Sequence, residues 1–394
     1  MEQTVKGWEK MKELMTKNKL NGKRIAVLFG TYAPYHAIHT QNLYRALAEN
    51  DGAVLVVSGY KGDRGDKVGL SLYRRFRYLR EAFADEPNVV VAMLNEDNIP
   101  RYPDGWTPWV KKLESIVKKA VINYSEATIT NYSGEPDYKE KMEEYLPSWK
   151  EQVIPRTKNP ISATMIRSDP LRYWNLINRV YRRHFAKKVL VAGPASGGKS
   201  TLVKRLARSV NAPFSTEYAR NYEEKYNLTD DELTVDDYSH FFQGQYDANQ
   251  AEINSPANQG IVFCDTDAMV TEIYARMYLP EKDYKSLHDM YQNAIRHEDW
   301  DLILFIPPIT NYVDDGFRNM EWEASRKEYS DNLIAEIKKQ GFGDKIVMLD
   351  DKGSEEDPEG FLARYEHAID AIRNIGIDIE LFGQTVSMRK EEGK

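Results

Sequence analysis

Apolar residues along this chain fall into two kinds of segment that alternate. Residues 24–29, 53–57 and 89–92 are short continuous apolar runs, and 127–130 is a weaker fourth. Between them, residues 40–48 and 73–83 carry apolar positions at helical spacing. Apolar runs without alternation of polar positions suit strands covered on both faces, and their alternation with helices predicts a parallel sheet. The pattern starts again at Lys187, with runs at 189–192, 261–264, 302–306 and 346–349, and a short strand is expected just before Ser215. Residues 171–186 (LRYWNLINRVYRRHFA) read as one helix bridging the two halves. The expected architecture is therefore α/β, with two parallel-sheet domains at 1–170 and 187–394 and a linker helix at 171–186. Val5, Trp8, Met11, Leu14 and Met15 predict an amphipathic helix at the start, and the polar residues after Gly383 predict a frayed tail.

The strongest chemical signal lies where the pattern restarts. Residues 193–200 read Gly-Pro-Ala-Ser-Gly-Gly-Lys-Ser, a G-x-x-x-x-G-K-S loop between an apolar strand and a helix that opens with Leu202, Val203 and Leu206. Such a loop wraps backbone N–H groups around an anion and adds the positive end of a helix dipole. Gly193, Ser196, Gly197, Gly198, Ser200 and Thr201 would form the cradle. Lys199 would reach the β- and γ-phosphates of a nucleotide, and the Ser200 hydroxyl would face Mg²⁺. The run 261–264 ends in Asp265, an acid placed to hold Mg²⁺ beside that loop or, alternatively, to take the proton of an acceptor hydroxyl. Asp267, two residues on, is a candidate for a ribose hydroxyl.

Composition narrows the partners. A net charge of −7 over 394 residues gives no general affinity for nucleic acid, and no apolar run is long enough to span a bilayer. The single cysteine, Cys264, excludes an intrachain disulfide and suits a reducing cytoplasm. Small molecules are the expected partners, with self-association left open.

In the first half, the strand ending at Phe29 runs into Gly30-Thr31-Tyr32-Ala33-Pro34-Tyr35-His36-Ala37-Ile38-His39. Two histidines three apart at a helix start can both face one anion, as charged or as hydrogen-bonding imidazoles. Further on, Ile161-Ser162-Ala163-Thr164-Met165-Ile166-Arg167 offers two hydroxyls at a helix N-terminus and a guanidinium on the same face.

The combination of G-x-aromatic-x-P-x-H-x-x-H with I-S-x-T-x-x-R resembles the nucleotidylyltransferase superfamily. More narrowly, residues from about 24 to 349 resemble the bifunctional NadR family, in which a nicotinamide-mononucleotide adenylyltransferase is joined to a ribosylnicotinamide kinase. The stretches ISATMIRSDPLRYW and Ile99-Pro100-Arg101-Tyr102-Pro103-Asp104-Gly105-Trp106 carry the likeness beyond the two motifs. The resemblance implies a Rossmann-like domain followed by a P-loop kinase domain. It implies ATP as co-substrate, Mg²⁺, and ribosylnicotinamide, nicotinamide mononucleotide and NAD as the small molecules handled. It gives His36, His39 and Arg167 the catalytic phosphate roles in the first domain. Gly30, Tyr32, Ser162 and Thr164 are the neighbouring binding residues there, with Trp106 stacking on nicotinamide. In the second domain it implies that Glu217, Tyr218 and Arg220 meet the riboside, and that Arg318, in a lid with Val313-Asp314-Asp315-Gly316-Phe317, neutralises the transferred phosphoryl group. One position departs: the family shows H-x-G-H, and Ile38 stands where glycine is usual. A β-branched side chain narrows that site, so a kinase with a degenerate nucleotide-binding or NAD-sensing first domain is the alternative. No guanine-reading N-K-x-D is present. The roughly two dozen residues before the first strand are too few for the helix-turn-helix domain some family members carry.

Overall fold

The computed structural model describes residues 14–377 apart from 102, 135, 155–160 and 315. The chain divides into two compact units, Met1–Phe185 and Ala186–Lys394, each built on a five-stranded, wholly parallel sheet. Of the expected N-terminal helix, only Leu14 and Met15 lie among the described residues, and Met15 forms an isolated bridge to Ala92. The tail after Gly383 lies outside them.

In the first unit the strands are β1 (Arg24–Gly30), β2 (Gly52–Gly59), β3 (Val89–Asn95), β4 (Thr128–Ser133) and β5 (Lys150–Val153), in the order β3-β2-β1-β4-β5. The helices are α1 (Ala37–Glu49), α2 (Leu72–Ala82), α3 (Trp106–Ala120), α4 (Pro136–Tyr145), α5 (Ala163–Ser168) and α6 (Arg179–Phe185). β1 is central, with Val27 paired to Val54 on one side and Asn131 on the other. Ile25, Val27, Val54, Val56, Val90 and Ala92 pack beneath Leu113, Ile116 and Val117 of α3, all fully or nearly fully buried. The chain leaves β1 for one side of the sheet and returns to β4 on the other. The crevice beyond the C-terminal ends of these two strands is the topological switch point where open α/β sheets bind ligands.

Residues 171–186 are not one helix. A 3₁₀ turn at Trp174–Leu176 is followed by extended Ile177, which bridges to His36, and then by α6. The break has a local cause: the Asn178 N–H is held by the Tyr35 carbonyl, and the Asn178 side chain accepts from the N–H of Val180 to start a new helix. α6 then packs on α2, with the Tyr181 hydroxyl donating to the Arg75 carbonyl and Arg183 pairing with Glu81.

The second unit has β6 (Lys187–Ala192), β7 (Phe214–Ser215), β8 (Ile261–Asp265), β9 (Leu302–Phe305) and β10 (Ile346–Met348), in the order β10-β9-β6-β8-β7. Its helices are α7 (Lys199–Ser209), α8 (Tyr218–Tyr226), α9 (Val235–Ile253), α10 (Ala268–Tyr278), α11 (Glu281–Ser286), α12 (His288–Ile295), α13 (Arg326–Lys339) and α14 (Phe361–Asn374). β6 lies between β8 and β9, and Val191 is in register with Asp265. That register sets the acid at the end of β8 beside the glycine-rich loop that leaves β6. No helix among the described residues is long and apolar enough to cross a membrane.

Candidate functional sites

In the first unit the loop after β1 turns sharply. Tyr32 is buried at φ 48°, and its ring would lie 3.1 Å from a Cβ at position 30, so Gly30 cannot be enlarged without moving it. His36 is the extended N-cap of α1. Its N–H donates to Nδ1 of His39 at 3.3 Å, and the two imidazoles lie 3.8 Å apart, tilted by 31°. His39 Nδ1 is thus an acceptor, which leaves Nε2 as the protonated nitrogen. Nδ1 of His36 is buried with no partner.

Arg167, on α5, donates to the Ala33 carbonyl at 2.7 Å and to the Thr164 hydroxyl at 2.9 Å. Arg64 donates to the Thr31 hydroxyl at 3.0 Å and lies close enough to Arg167 to add to the burial that lowers its pKa. Ser162 caps α5, accepting from the N–H of Met165. Two imidazoles and two guanidiniums therefore converge on the loop after β1. The nearby acid, Asp63, is committed to Arg75 at 2.6 Å in a buried ion pair. Arg64 was invisible in the sequence, since nothing in Gly62-Asp63-Arg64-Gly65 marks the arginine as facing a loop more than thirty positions back.

Arg75 also donates to the Thr31 carbonyl at 2.7 Å, so this pair braces the anion-facing loop from below. Arg75→Ala would leave Asp63 buried and unpaired, and it is expected to destabilise the unit by about 3–5 kcal/mol. Urea unfolding followed by tryptophan fluorescence checks this, and a loss under about 1 kcal/mol would contradict the bracing role.

Burial pulls the pKa of His36 down to about 4. Burial, and secondarily His36 itself, holds His39 well below the ordinary histidine range. Burial therefore favours uncharged rings at neutral pH, able to serve as hydrogen-bond partners. The linkage follows directly. Well above pH 6.5 neither the folded nor the unfolded imidazole is protonated, and the two histidines cost nothing. As pH falls from 6.5 towards 4 only the unfolded chain takes up the protons, and stability drops, by up to about 3 kcal/mol for a shift the size of that of His36. Urea midpoints measured across this window should fall, and His36→Asn should flatten the curve.

Trp106 opens α3. Its indole is edge-on to Tyr138 at 5.3 Å and to Trp109 at 6.0 Å, and its Nε1–H is buried without a partner. Ile38 sits half-buried in the first turn of α1.

In the second unit the glycine-rich loop takes the backbone conformations its composition allows. Gly193 is at φ 137°, where a Cβ would strike the Ile306 carbonyl, and Gly198 is at φ 83°, where it would lie 2.6 Å from the Phe361 ring. Ser196, at φ 59°, is the non-glycine residue bent into the left-handed region here. Lys199 starts α7, is 7% exposed, and curls back to donate to the Pro194 carbonyl at 3.1 Å. Residues 194–201 form one wall of a cavity of about 320 Å³, and Glu217, Arg220, Asp230, Tyr274, Tyr278, Arg318 and Trp322 form others.

Asp265 is buried, and its Oδ1 has no partner. Burial raises its pKa, the charge of Glu217 raises it further, and Lys199 and the Ser200 hydroxyl pull it back. Arg318 donates to the Ser196 hydroxyl and to the Val313 carbonyl, each at 2.8 Å, while the Thr310 hydroxyl donates to the Ser196 carbonyl at 2.6 Å. The segment around 310–318 is thereby fastened to the phosphate loop, with Arg318 at its mouth. Asp315 lies outside the described residues, as does Tyr102.

One expectation needs correction. Asp267 cannot bind a ribose: it is fully buried as the N-cap of α10. One of its oxygens accepts from the N–H groups of Met269 and Val270, and the other accepts from the Trp300 indole. The Tyr218 ring packs where α9 offers Gly244 in place of a side chain, between residues Phe241 and Gln245 that line the cavity. Glu217 and Arg220 do line the cavity, and Arg220 pairs with Glu223 at 3.1 Å. Tyr274, Tyr278 and Trp322 give the cavity an aromatic wall, and they look like ordinary core positions in the sequence.

Comparison with known proteins bears on the family of the whole chain. The AAA domain family matches residues 188–357. The trifunctional NAD biosynthesis/regulator protein NadR of Salmonella typhimurium is 29% identical over 331 residues, covering 81% of this chain and 77% of that protein. Its counterpart in Escherichia coli is 28% identical over 327 residues, covering 80% and 76%. A crystal structure of a NadR protein in complex with NR is 50% identical, with a TM-score of 0.84, over 92% of this chain and 99% of that one. A NadR protein in complex with NAD and AMP-PNP is 48% identical, with a TM-score of 0.81 and the same coverage. Identity at this level, over nearly the whole of both chains, means that the chain belongs to the NadR family.

Proposed function

We propose that the chain makes NAD in two ATP-dependent steps, one in each unit. Family membership makes it an enzyme of NAD biosynthesis with kinase and nucleotidyltransferase activity. The finer assignment is that the second unit phosphorylates ribosylnicotinamide and the first adenylates the mononucleotide so formed. The observation that carries it is the pairing, in the second unit, of a phosphate loop with an aromatic, acid-lined cavity that it partly walls. The solved relatives with NR, and with NAD and AMP-PNP, support the same ligands here.

In the second unit the 5′-hydroxyl oxygen of the riboside attacks the γ-phosphorus of ATP, the bond to the β,γ-bridging oxygen breaks, ADP leaves, and the hydroxyl proton is released to solvent. Such transfer needs positioning and charge neutralisation more than covalent help. Lys199 and the loop amides hold the phosphates, Arg318 meets charge on the transferred group, and Glu217 orients the ribose hydroxyls. The residues fit Mg²⁺, because the partnerless Oδ1 of Asp265 and the Ser200 hydroxyl offer hard oxygen donors at the loop. Bound there, the ion would neutralise charge between the β- and γ-phosphates.

In the first unit a phosphate oxygen of nicotinamide mononucleotide attacks the α-phosphorus of ATP, and pyrophosphate leaves. His36, His39 and Arg167, with Arg64, stabilise the pentacoordinate phosphate and the leaving pyrophosphate through N–H donors. Trp106 stacks on the cationic nicotinamide ring. The alternative, a kinase with a non-catalytic first unit, rests on Ile38. Incubation with Mg-ATP and ribosylnicotinamide, then separately with the mononucleotide, separates the two by chromatography of products. NAD from the mononucleotide supports both steps. Its absence, with NAD appearing only in Ile38→Gly, would show that crowding at position 38 has silenced the first unit.

A further inference from the structure

The acceptor end of the kinase cavity is aromatic and acidic at once. Tyr278 and Trp322 stack face to face, with centroids 3.6 Å apart and planes within 10°. Tyr274 lies 6.0 Å from Tyr278 and 6.3 Å from Trp322. The Asp230 carboxylate acts on both tyrosines, and Glu217 acts on Tyr274 from another wall of the cavity. Of the cavity's cations, Arg220 beside Glu217 is paired with Glu223 at 3.1 Å, and the others lie on the side of the lid and the phosphate loop. Arg318 is fastened to Ser196 and Val313, Arg326 donates to the Thr310 carbonyl at 2.7 Å, and both guanidiniums lie over the Tyr312 ring. Ring faces and carboxylates together favour a flat positive charge, and an uncharged ring of the same shape gains neither attraction.

We infer that this wall selects a flat organic cation, so that the kinase phosphorylates the N-ribosylated pyridinium and discriminates against its uncharged 1,4-dihydro form. The unit would thereby read the oxidation state of its substrate, with Asp230 and Trp322 as specificity-determining residues. This rests on the kinase reading above. Tyr278 and Trp322 occupy each other's faces in the free chain, and either ring offers its face to the pyridinium once the pair parts.

The test uses the full chain with Mg-ATP and compares kcat/KM for ribosylnicotinamide and for its 1,4-dihydro form. The expected preference for the cation is about 30-fold, equivalent to ~2 kcal/mol. Asp230→Asn retains an acceptor for the Asn319 N–H, which Asp230 now takes at 3.0 Å. It should shrink the preference to a few-fold by raising KM for the cation alone, with KM for ATP unmoved. Trp322→Leu, in the lid, should shrink it too and stands in if the first variant does not fold. Equal kcat/KM for the two rings in the unaltered chain overturns the inference while leaving the kinase assignment intact. Phosphorylation of neither ring removes the kinase assignment and the inference with it. A preference unchanged in both variants overturns the roles given to Asp230 and Trp322.

Discussion

Lys199→Ala is expected to lower the rate of riboside phosphorylation at least ~10³-fold, with little change in folding. The argument turns on what the ammonium does in the free chain. It makes one hydrogen bond, to the Pro194 carbonyl, and a lysine in that position is otherwise a charge held in reserve against Asp265. Removing it costs one modest interaction and leaves the loop's shape to Gly193 and Gly198, whose backbone angles do not depend on it. The same removal deprives the β- and γ-phosphates of their nearest fixed positive charge as negative charge shifts onto the leaving ADP. Lys199→Arg should not rescue, because a planar fork does not fit a place built for a compact ammonium. The measurement is ADP release with ribosylnicotinamide as acceptor, together with a thermal melt. NAD formation from added mononucleotide serves as the internal control, since that chemistry is assigned to the other unit. Kinase turnover within tenfold of the unaltered chain would remove Lys199 from the mechanism. Loss of both activities would contradict the assignment of one step to each unit.

The contrast between what the sequence shows and what it hides follows from how locally each feature is encoded. The phosphate loop is legible because strand, glycines, lysine and helix are contiguous, and each glycine answers a backbone requirement that no other residue meets at residues 193 and 198. β1, β2 and β3 are legible because their central residues are buried on both faces and therefore apolar. β5 is not: Lys150-Glu151-Gln152-Val153 is an edge strand whose place comes from pairing with β4, and its polar sequence carries no strand signal. The helix proposed for 171–186 failed for a related reason. Its apolar spacing is helical, but Asn178 and the pairing of Ile177 with His36 are tertiary facts that interrupt it.

The sites divide in the same way. His36, His39 and Arg167 belong to motifs, and the fold gathers their loop and helix at one switch point. Arg64 reaches the same loop from a turn with no signature of its own. Asp267 was misjudged because two acids after a strand look alike in sequence. Only the buried cap, with both oxygens engaged, separates the one that builds α10 from Asp265, which keeps an oxygen free.

His39→Asn is expected to reduce NAD formation from mononucleotide and ATP by about 10²–10³-fold while leaving phosphorylation of the riboside unchanged. Alanine would be the poorer test. The His39 ring accepts the His36 N–H through Nδ1 and packs edge-on against Tyr32 at 5.0 Å, so its deletion would empty a buried space and uncap α1. Asparagine places an oxygen near where Nδ1 stood and so can keep the cap, but it has no atom at Nε2. Whatever activity is lost is then lost with the Nε2–H and not with the helix start. Because burial favours neutral imidazoles, the proposed mechanism has that N–H act as a hydrogen bond to developing charge, not as a pre-existing cation. A triphosphate bound against the pair should therefore raise their pKa values and draw protons from solution below neutral pH, and calorimetry in buffers of different ionisation enthalpy reads this directly. In His39→Asn that proton uptake should fall together with turnover. If NAD formation stays within threefold of the unaltered chain while the thermal melt is unchanged, the histidine pair is a helix cap and nothing more, and the catalysis assigned to it must lie elsewhere in the unit.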